Sequence, residues 1–255
     1  TYLSDGLKVT GLMVKPKAEG NYPCIIFNRG GNRDFGQLLV AHAATLFGKM
    51  ASKGYVVIGS NYRGNGGGEG REEFGGADVK DVLHLIDVLS EVEGADTSRI
   101  GMLGWSRGGM MTYLALSQTN KIKAAVVGAG MSDLTVIDRP EMEKRVYAEL
   151  IPDYEQKKEE ELRKRSAVHF AEQLPTNVPI LLLHGNADWR VKSTQALKMA
   201  LAFEEHRIPY RPKIFEGADH GISEYREEVN HETMSWFERF LKNNEALPDM
   251  AFHGK

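Results

Sequence analysis

Cysteine is nearly missing from this 255-residue chain: Cys24 stands alone, so no internal disulfide and no cysteine metal cluster can form. A reducing, cytoplasmic setting is the natural expectation, with upstream processing left open because the chain begins at Thr1. No basic-plus-apolar signal segment stands at the N-terminus. Charge of one sign is not in excess either, since 32 Lys plus Arg face 35 Asp plus Glu, for a net −3. A nucleic-acid or anionic-membrane partner therefore has no electrostatic support. Apolar runs such as Val178–Leu183 fall far short of the ~18 residues that a membrane span requires. The zinc-protease pattern H-E-x-x-H is absent, because His231-Glu232 is followed by Thr233 and Met234. No metal and no cofactor are expected. With only nine Pro and 42% hydrophobic residues, low complexity and disorder are excluded.

What the chain has in excess is glycine: 27 residues, just over a tenth, where ~7% is usual. At ~150 residues per domain the length allows one large domain or two small ones. Short apolar runs bounded by Gly, Asn or Pro occur at Cys24–Phe27, Tyr55–Ile58, Ile100–Leu103, Ala124–Val127 and Ile180–Leu183. Such runs suit strands buried on both faces of a parallel sheet. Helical patterns lie between and after them, at Leu38–Ser52, Ala77–Val92, Gly108–Gln118, Ser193–His206 and Ser223–Leu241. Leu7–Val14 alternates loosely and reads as one antiparallel edge strand. This alternation predicts an α/β fold with a mostly parallel sheet, as a single domain over 1–255. One stretch breaks the rhythm. Glu141–Arg165 holds 15 charged residues in 25. It reads as solvated helices with intrahelical ion pairs, or as part of a helical lid-like insertion over 132–174.

The chemistry centres on Gly104-Trp-Ser106-Arg-Gly108, a G-x-S-x-G pattern with an apolar strand before it and a helix after it. A serine on so sharp a turn brings backbone very close, and only glycine at 104 and 108 leaves room. The turn also aims a helix N-terminus at the reacting atoms, offering the Arg107 N–H to an oxyanion. A serine hydroxyl needs a base, and the base an orienting acid. Asp188 follows the strand Ile180–Leu183, and His220 follows another short strand just before the last helix; in chain order they suit the acid and the base. Asp219 is a weaker rival for the acid. His184 reads as a partner of its own loop, and His42, His84, His206 and His231 as surface or packing residues on helices. His169 and His253 have no motif around them.

Two glycine-rich loops follow strands. Asn28-Arg-Gly-Gly-Asn-Arg-Asp-Phe-Gly36 can turn the N–H groups of Gly30 and Gly31 toward the serine as a second oxyanion donor. Asn61-Tyr-Arg-Gly-Asn-Gly-Gly-Gly-Glu-Gly70 lacks the Lys-Ser/Thr of a P-loop and fails G-x-G-x-x-G at every register. It reads as a loop at the mouth of a site.

Taken together, Ser4-Asp-Gly-Leu, Asn61-Tyr-Arg-Gly, Phe74-Gly-Gly-Ala-Asp-Val, Gly104-Trp-Ser-Arg-Gly-Gly, His184-Gly-Asn-Ala-Asp-Trp-Arg-Val and Gly217-Ala-Asp-His-Gly resemble the catalytic domain of the prolyl oligopeptidase family of serine peptidases. The resemblance runs from about Ser4 to Lys242. It implies an α/β-hydrolase fold and a Ser–His–Asp triad at Ser106, His220 and Asp188. Arg29 stands where many members have a histidine or tyrosine before the glycine pair, so backbone N–H groups must serve as oxyanion donors. Members commonly carry an N-terminal β-propeller that restricts access to short peptides, and this chain shows none. The expectation is a serine hydrolase that cleaves a small peptide, amide or ester through an acyl-serine, with a carboxylesterase acting on small acyl esters as the competing reading. A non-catalytic binding protein on the same scaffold is the contrasting class, and the intact triad argues against it. Oligomeric state is not legible.

Overall fold

The computed structural model describes residues 1–254 and is built on one seven-stranded sheet. Its strands are β3 (Gly11–Val14), β4 (Tyr22–Asn28), β5 (Val56–Ser60), β6 (Ala95–Trp105), β7 (Ile122–Gly128), β8 (Ile180–Gly185) and β9 (Tyr210–Phe215). They lie in the order β3-β5-β4-β6-β7-β8-β9; β3 runs antiparallel at one edge and the other six are mutually parallel. Every buried run expected as a parallel strand is one. The principal helices are α1 (Val79–Ser90), α2 (Arg107–Leu116), α3 (Tyr154–Lys164), α4 (Thr194–Glu205) and α5 (Arg226–Phe237).

Leu7–Val14 is not one strand. Leu7–Val9 (β2) folds back on Tyr2–Ser4 (β1), and only Gly11–Val14 reaches the main sheet. The cause is the turn between β1 and β2, where Asp5 and Gly6 both have positive φ, 50° and 80°, as a tight hairpin with the native twist requires. Thr10 then leaves the ladder, and its carbonyl accepts the Asn61 N–H at 2.9 Å.

Alternation along the strands divides the core into two layers. Ile26, Ile58, Met102, Val127 and Leu182 point to the side covered by α1, α2 and α4, where Leu85, Met110 and Phe203 pack on them. Ile25, Val57, Leu103, Val126 and Leu183 point the other way, onto Phe47 and Met50 of a helical run at 40–52 and onto Trp236 and Phe237 of α5. Each of those aromatic side chains, withdrawn from water, contributes roughly 1.5–3 kcal/mol. Helix α2 is buried along its full length, which fixes its N-terminus against the middle of the sheet. The C-terminal ends of β4, β6, β8 and β9 therefore converge on one edge, where parallel sheets place their sites.

Between β7 and β8 the chain runs through α3 and shorter helical turns. Three of its ion pairs, Lys157–Asp153, Lys164–Glu160 and Arg145–Glu141, are solvated and four residues apart, as the charge pattern predicts. Among the described residues no helix is long and apolar enough to cross a membrane.

Candidate active site

Strand β6 ends at Trp105 and helix α2 begins at Arg107, so Ser106 alone makes the turn. Its φ of 59° and ψ of −122° lie where L-residues are strained. Three backbone hydrogen bonds hold it there: the Ser106 N–H donates to the Gly128 carbonyl, and the Ser106 carbonyl accepts from Gly109 and Met131. Crowding around the turn is severe. A Cβ on Gly104 would stand 2.1 Å from the Gly108 carbonyl oxygen, and one on Gly108 would stand 1.8 Å from the Asn28 oxygen of β4. Gly108→Ala is accordingly expected to destabilise the fold by about 3 kcal/mol, since backbone must yield on both sides. Urea unfolding measures this, and a loss below about 1 kcal/mol would show the contact to be soft.

Asp188 lies in the turn after β8. Its Oδ1 accepts the N–H groups of Arg190 (2.8 Å) and Val191 (3.0 Å), which fixes the carboxylate plane. Its Oδ2 meets Nδ1 of His220 at 2.7 Å. Burial pushes the Asp188 carboxyl up, but the hydrogen bonds of His184, His220 and the Val191 N–H outweigh it and hold the group well below the usual carboxylate range. Asp188 is therefore an anion, and the neutral His220 ring carries its proton on Nδ1 and its lone pair on Nε2. His184, fully buried, donates from Nε2 to the Val191 carbonyl at 2.8 Å, and so holds its own loop as expected.

The rival acid Asp219 turns away from the imidazole. Its Oδ1 accepts the N–H groups of Gly221 and Ser223 and caps the turn that carries His220. The indole N–H of Trp105 donates to the His220 carbonyl at 3.0 Å, tying that turn to the residue before Ser106. Ser106, His220, Arg107 and Gly31 line one cavity of about 350 Å³, and among the described residues no other histidine lines it. Among the described residues no hydrogen bond joins the Ser106 hydroxyl to His220, a contact that commonly tightens as substrate binds. Gly30 sits behind the cavity wall, close enough to the turn that an added Cβ would lie 3.2 Å from the Ser106 Cβ. No group of three or more His, Cys, Asp or Glu among the described residues is arranged to hold a metal ion.

The family model described as "Prolyl oligopeptidase family" matches residues 42–244, which include the serine turn and both of the other site residues. The chain belongs to the prolyl oligopeptidase family. It is 34% identical over 193 residues to the uncharacterized peptidase YtmA of Bacillus subtilis (strain 168), covering 74% of this chain and 72% of that one. To the uncharacterized peptidase YuxL of the same organism it is 28% identical, over 93% of this chain but 38% of YuxL. Pyrococcus horikoshii acylaminoacyl peptidase, in its orthorhombic crystal form, superposes with a TM-score of 0.80 at 29% identity, covering 98% of this chain and 42% of that structure. The chain thus spans well under half of the longer relatives. Membership makes it an enzyme of a serine peptidase family on the α/β-hydrolase fold.

What the sequence does not disclose for this family member is how its glycine loop is held. The Arg107 side chain, buried beneath its own N–H, pairs with Glu72 and Asp78 and donates to the Gly31 carbonyl at 3.1 Å. Glu72 also accepts the Arg33 N–H at 2.5 Å, so the loop after β4 is gripped from two sides. Burial pushes Glu72 up, but the Arg107 guanidinium beside it prevails and keeps its carboxyl below the usual range. Arg29, equally buried, threads the loop and donates to the carbonyls of Gly30, Arg33, Phe35 and Asn61. Arg29 is thus a peg that shapes the loop. Asp78 lies in the Phe74-Gly-Gly-Ala-Asp-Val stretch, where nothing marks it as an ion-pair partner, and Glu72, between Arg71 and Glu73, reads as one more surface charge.

Proposed function

We propose that Ser106 is the nucleophile, His220 the general base and then acid, and Asp188 the group that orients the imidazole. The observation that carries this reading is the Asp188–His220 pair at 2.7 Å facing the same cavity as a serine on a strained turn. In the first step the Ser106 Oγ attacks the substrate carbonyl carbon while its proton passes to Nε2 of His220. The buried Asp188 anion stabilises the imidazolium that results. The tetrahedral oxyanion is met by the Arg107 N–H, which opens α2 and has no partner within the helix, and by an N–H of the Gly30–Gly31 loop. The leaving group takes the proton from His220 as its bond to carbon breaks. Water then repeats the sequence and releases the acid from the acyl-serine.

The substrates we propose are short N-acylated peptides. The likeness to acylaminoacyl peptidase over 98% of this chain supports this, as does a cavity near the small end of the range for ligand sites. The segment 132–174 serves as a lid-like insertion, because its Asp133, Ile137, Met142 and Tyr147 line that cavity. Side-by-side assays on p-nitrophenyl acetate and N-acetyl-alanyl p-nitroanilide test the choice. Turnover of both is expected, with kcat/KM for the anilide within about tenfold of the ester. Ester turnover with no measurable amide cleavage would reassign the enzyme as a small-acyl esterase.

A further inference from the structure

The cavity holds two cations that its own carboxylates do not neutralise. Asp138 pairs with Lys192 and Asp133 with Lys198, each at 2.6 Å. Arg107 is held by Glu72 and Asp78 beneath the glycine loop, and Glu143, on the insertion, is taken by Lys158. Among the described residues Arg139 and Arg190 have no such partner, and both guanidiniums lie over the ring of Trp189, at 5.1 and 5.5 Å from its centroid. Trp189 is itself 68% exposed at the cavity, so it acts as a platform that holds the two cations at the mouth.

A second, independent observation lies deeper. Tyr147 is 5% exposed and lines the same cavity, yet its hydroxyl makes no hydrogen bond among the described residues. Its ring leans on Phe74, 5.4 Å between centroids, and Phe74 lies under Arg107, so the side chain is held with its hydroxyl at the cavity. The hydroxyl oxygen is not among the polar atoms sealed from the cavity, so it presents a free proton there that a ligand can accept. Burial pushes the hydroxyl's pKa up while Arg139, close by, pulls the other way, so it stays a donor at neutral pH.

We propose that Arg139 and Tyr147 form a carboxylate subsite: the guanidinium and the hydroxyl together hold an anionic group of the substrate within the Ser106 cavity. A carboxylate suits the pair because it accepts from both at once and restores charge balance to the mouth. Two parts of a substrate can bring it, an acidic group on the acyl side or the terminal carboxylate of a short peptide. This subsite rests on the reading of Ser106 as nucleophile.

Two matched pairs of substrates test it: mono-p-nitrophenyl glutarate against p-nitrophenyl butyrate for the acyl side, and N-acetyl-dialanine against its C-terminal amide for the terminal carboxylate. In one pair the anionic member is expected to have about tenfold or more higher kcat/KM, carried mainly by KM. Arg139→Gln is expected to bring that ratio close to one, Arg139→Lys to keep part of it, and Tyr147→Phe to reduce it a few-fold. In the unaltered enzyme the ratio is expected to fall as ionic strength rises, a readout that needs no variant. A ratio near one in both pairs, or a preference that survives in Arg139→Gln, overturns the subsite. Ser106 labelling by a neutral fluorophosphonate separates the two failures: with labelling intact only the subsite falls, and without it the nucleophile reading falls as well.

Discussion

Ser106→Ala is expected to lower kcat by about 10⁴- to 10⁶-fold while leaving the folded state intact. The size of the effect follows from the division of labour in the site. Without Oγ there is no covalent route, and His220 can only assist a water that the cavity was not shaped to position. What remains is the help of the Arg107 N–H and the glycine loop, on the order of 10³ over water. Stability should change little or even rise, because Ser106 owes its place to backbone hydrogen bonds and not to its hydroxyl. Steady-state kinetics on p-nitrophenyl acetate with a parallel urea titration measures both quantities. A variant that retains a tenth of the wild-type rate would remove Ser106 from the mechanism.

Asp188→Asn is expected to cost about 10³- to 10⁴-fold in kcat with little change in KM. An amide can still accept from the N–H groups of Arg190 and Val191, so the turn keeps its shape. It cannot stabilise an imidazolium, however, and presenting its NH₂ to His220 favours the tautomer whose lone pair sits on Nδ1, away from the serine. Asp219→Asn provides the contrast. Asp219 is exposed and only caps the turn beside His220, so its amide should keep activity within about threefold of wild type. Reversed outcomes, an inert Asp219→Asn and an active Asp188→Asn, would reassign the orienting acid.

The residues that follow strand ends were the legible ones. Ser106 and Asp188 stand in short turns after apolar runs, and His220 stands in the turn between the mixed strand Tyr210–Phe215 and the last helix, where order along the chain is enough to place it. The parallel strands were legible for the same reason, since burial on both faces leaves an uninterrupted apolar signature at Ile25, Val57 and Leu182. The β1–β2 hairpin was hidden because Leu7–Val9 and Gly11–Val14 share one alternation, and only the backbone at Asp5 and Gly6 separates them. The grip on the glycine loop was hidden for another reason: Arg107 lies 35 residues from Glu72 and 29 from Asp78, and no period links them. Tyr147 lies inside the stretch 141–165, whose dense charge reads as solvation, and Arg139 stands two residues before it with no motif around it.

Reaction with a fluorophosphonate probe, followed by intact-mass and peptide mass spectrometry, bears most directly on Ser106 as an activated nucleophile. One adduct per chain is expected, on the peptide that contains Ser106, and none in Ser106→Ala. Absence of the adduct in the wild-type enzyme, or its appearance on a different serine, would contradict the triad.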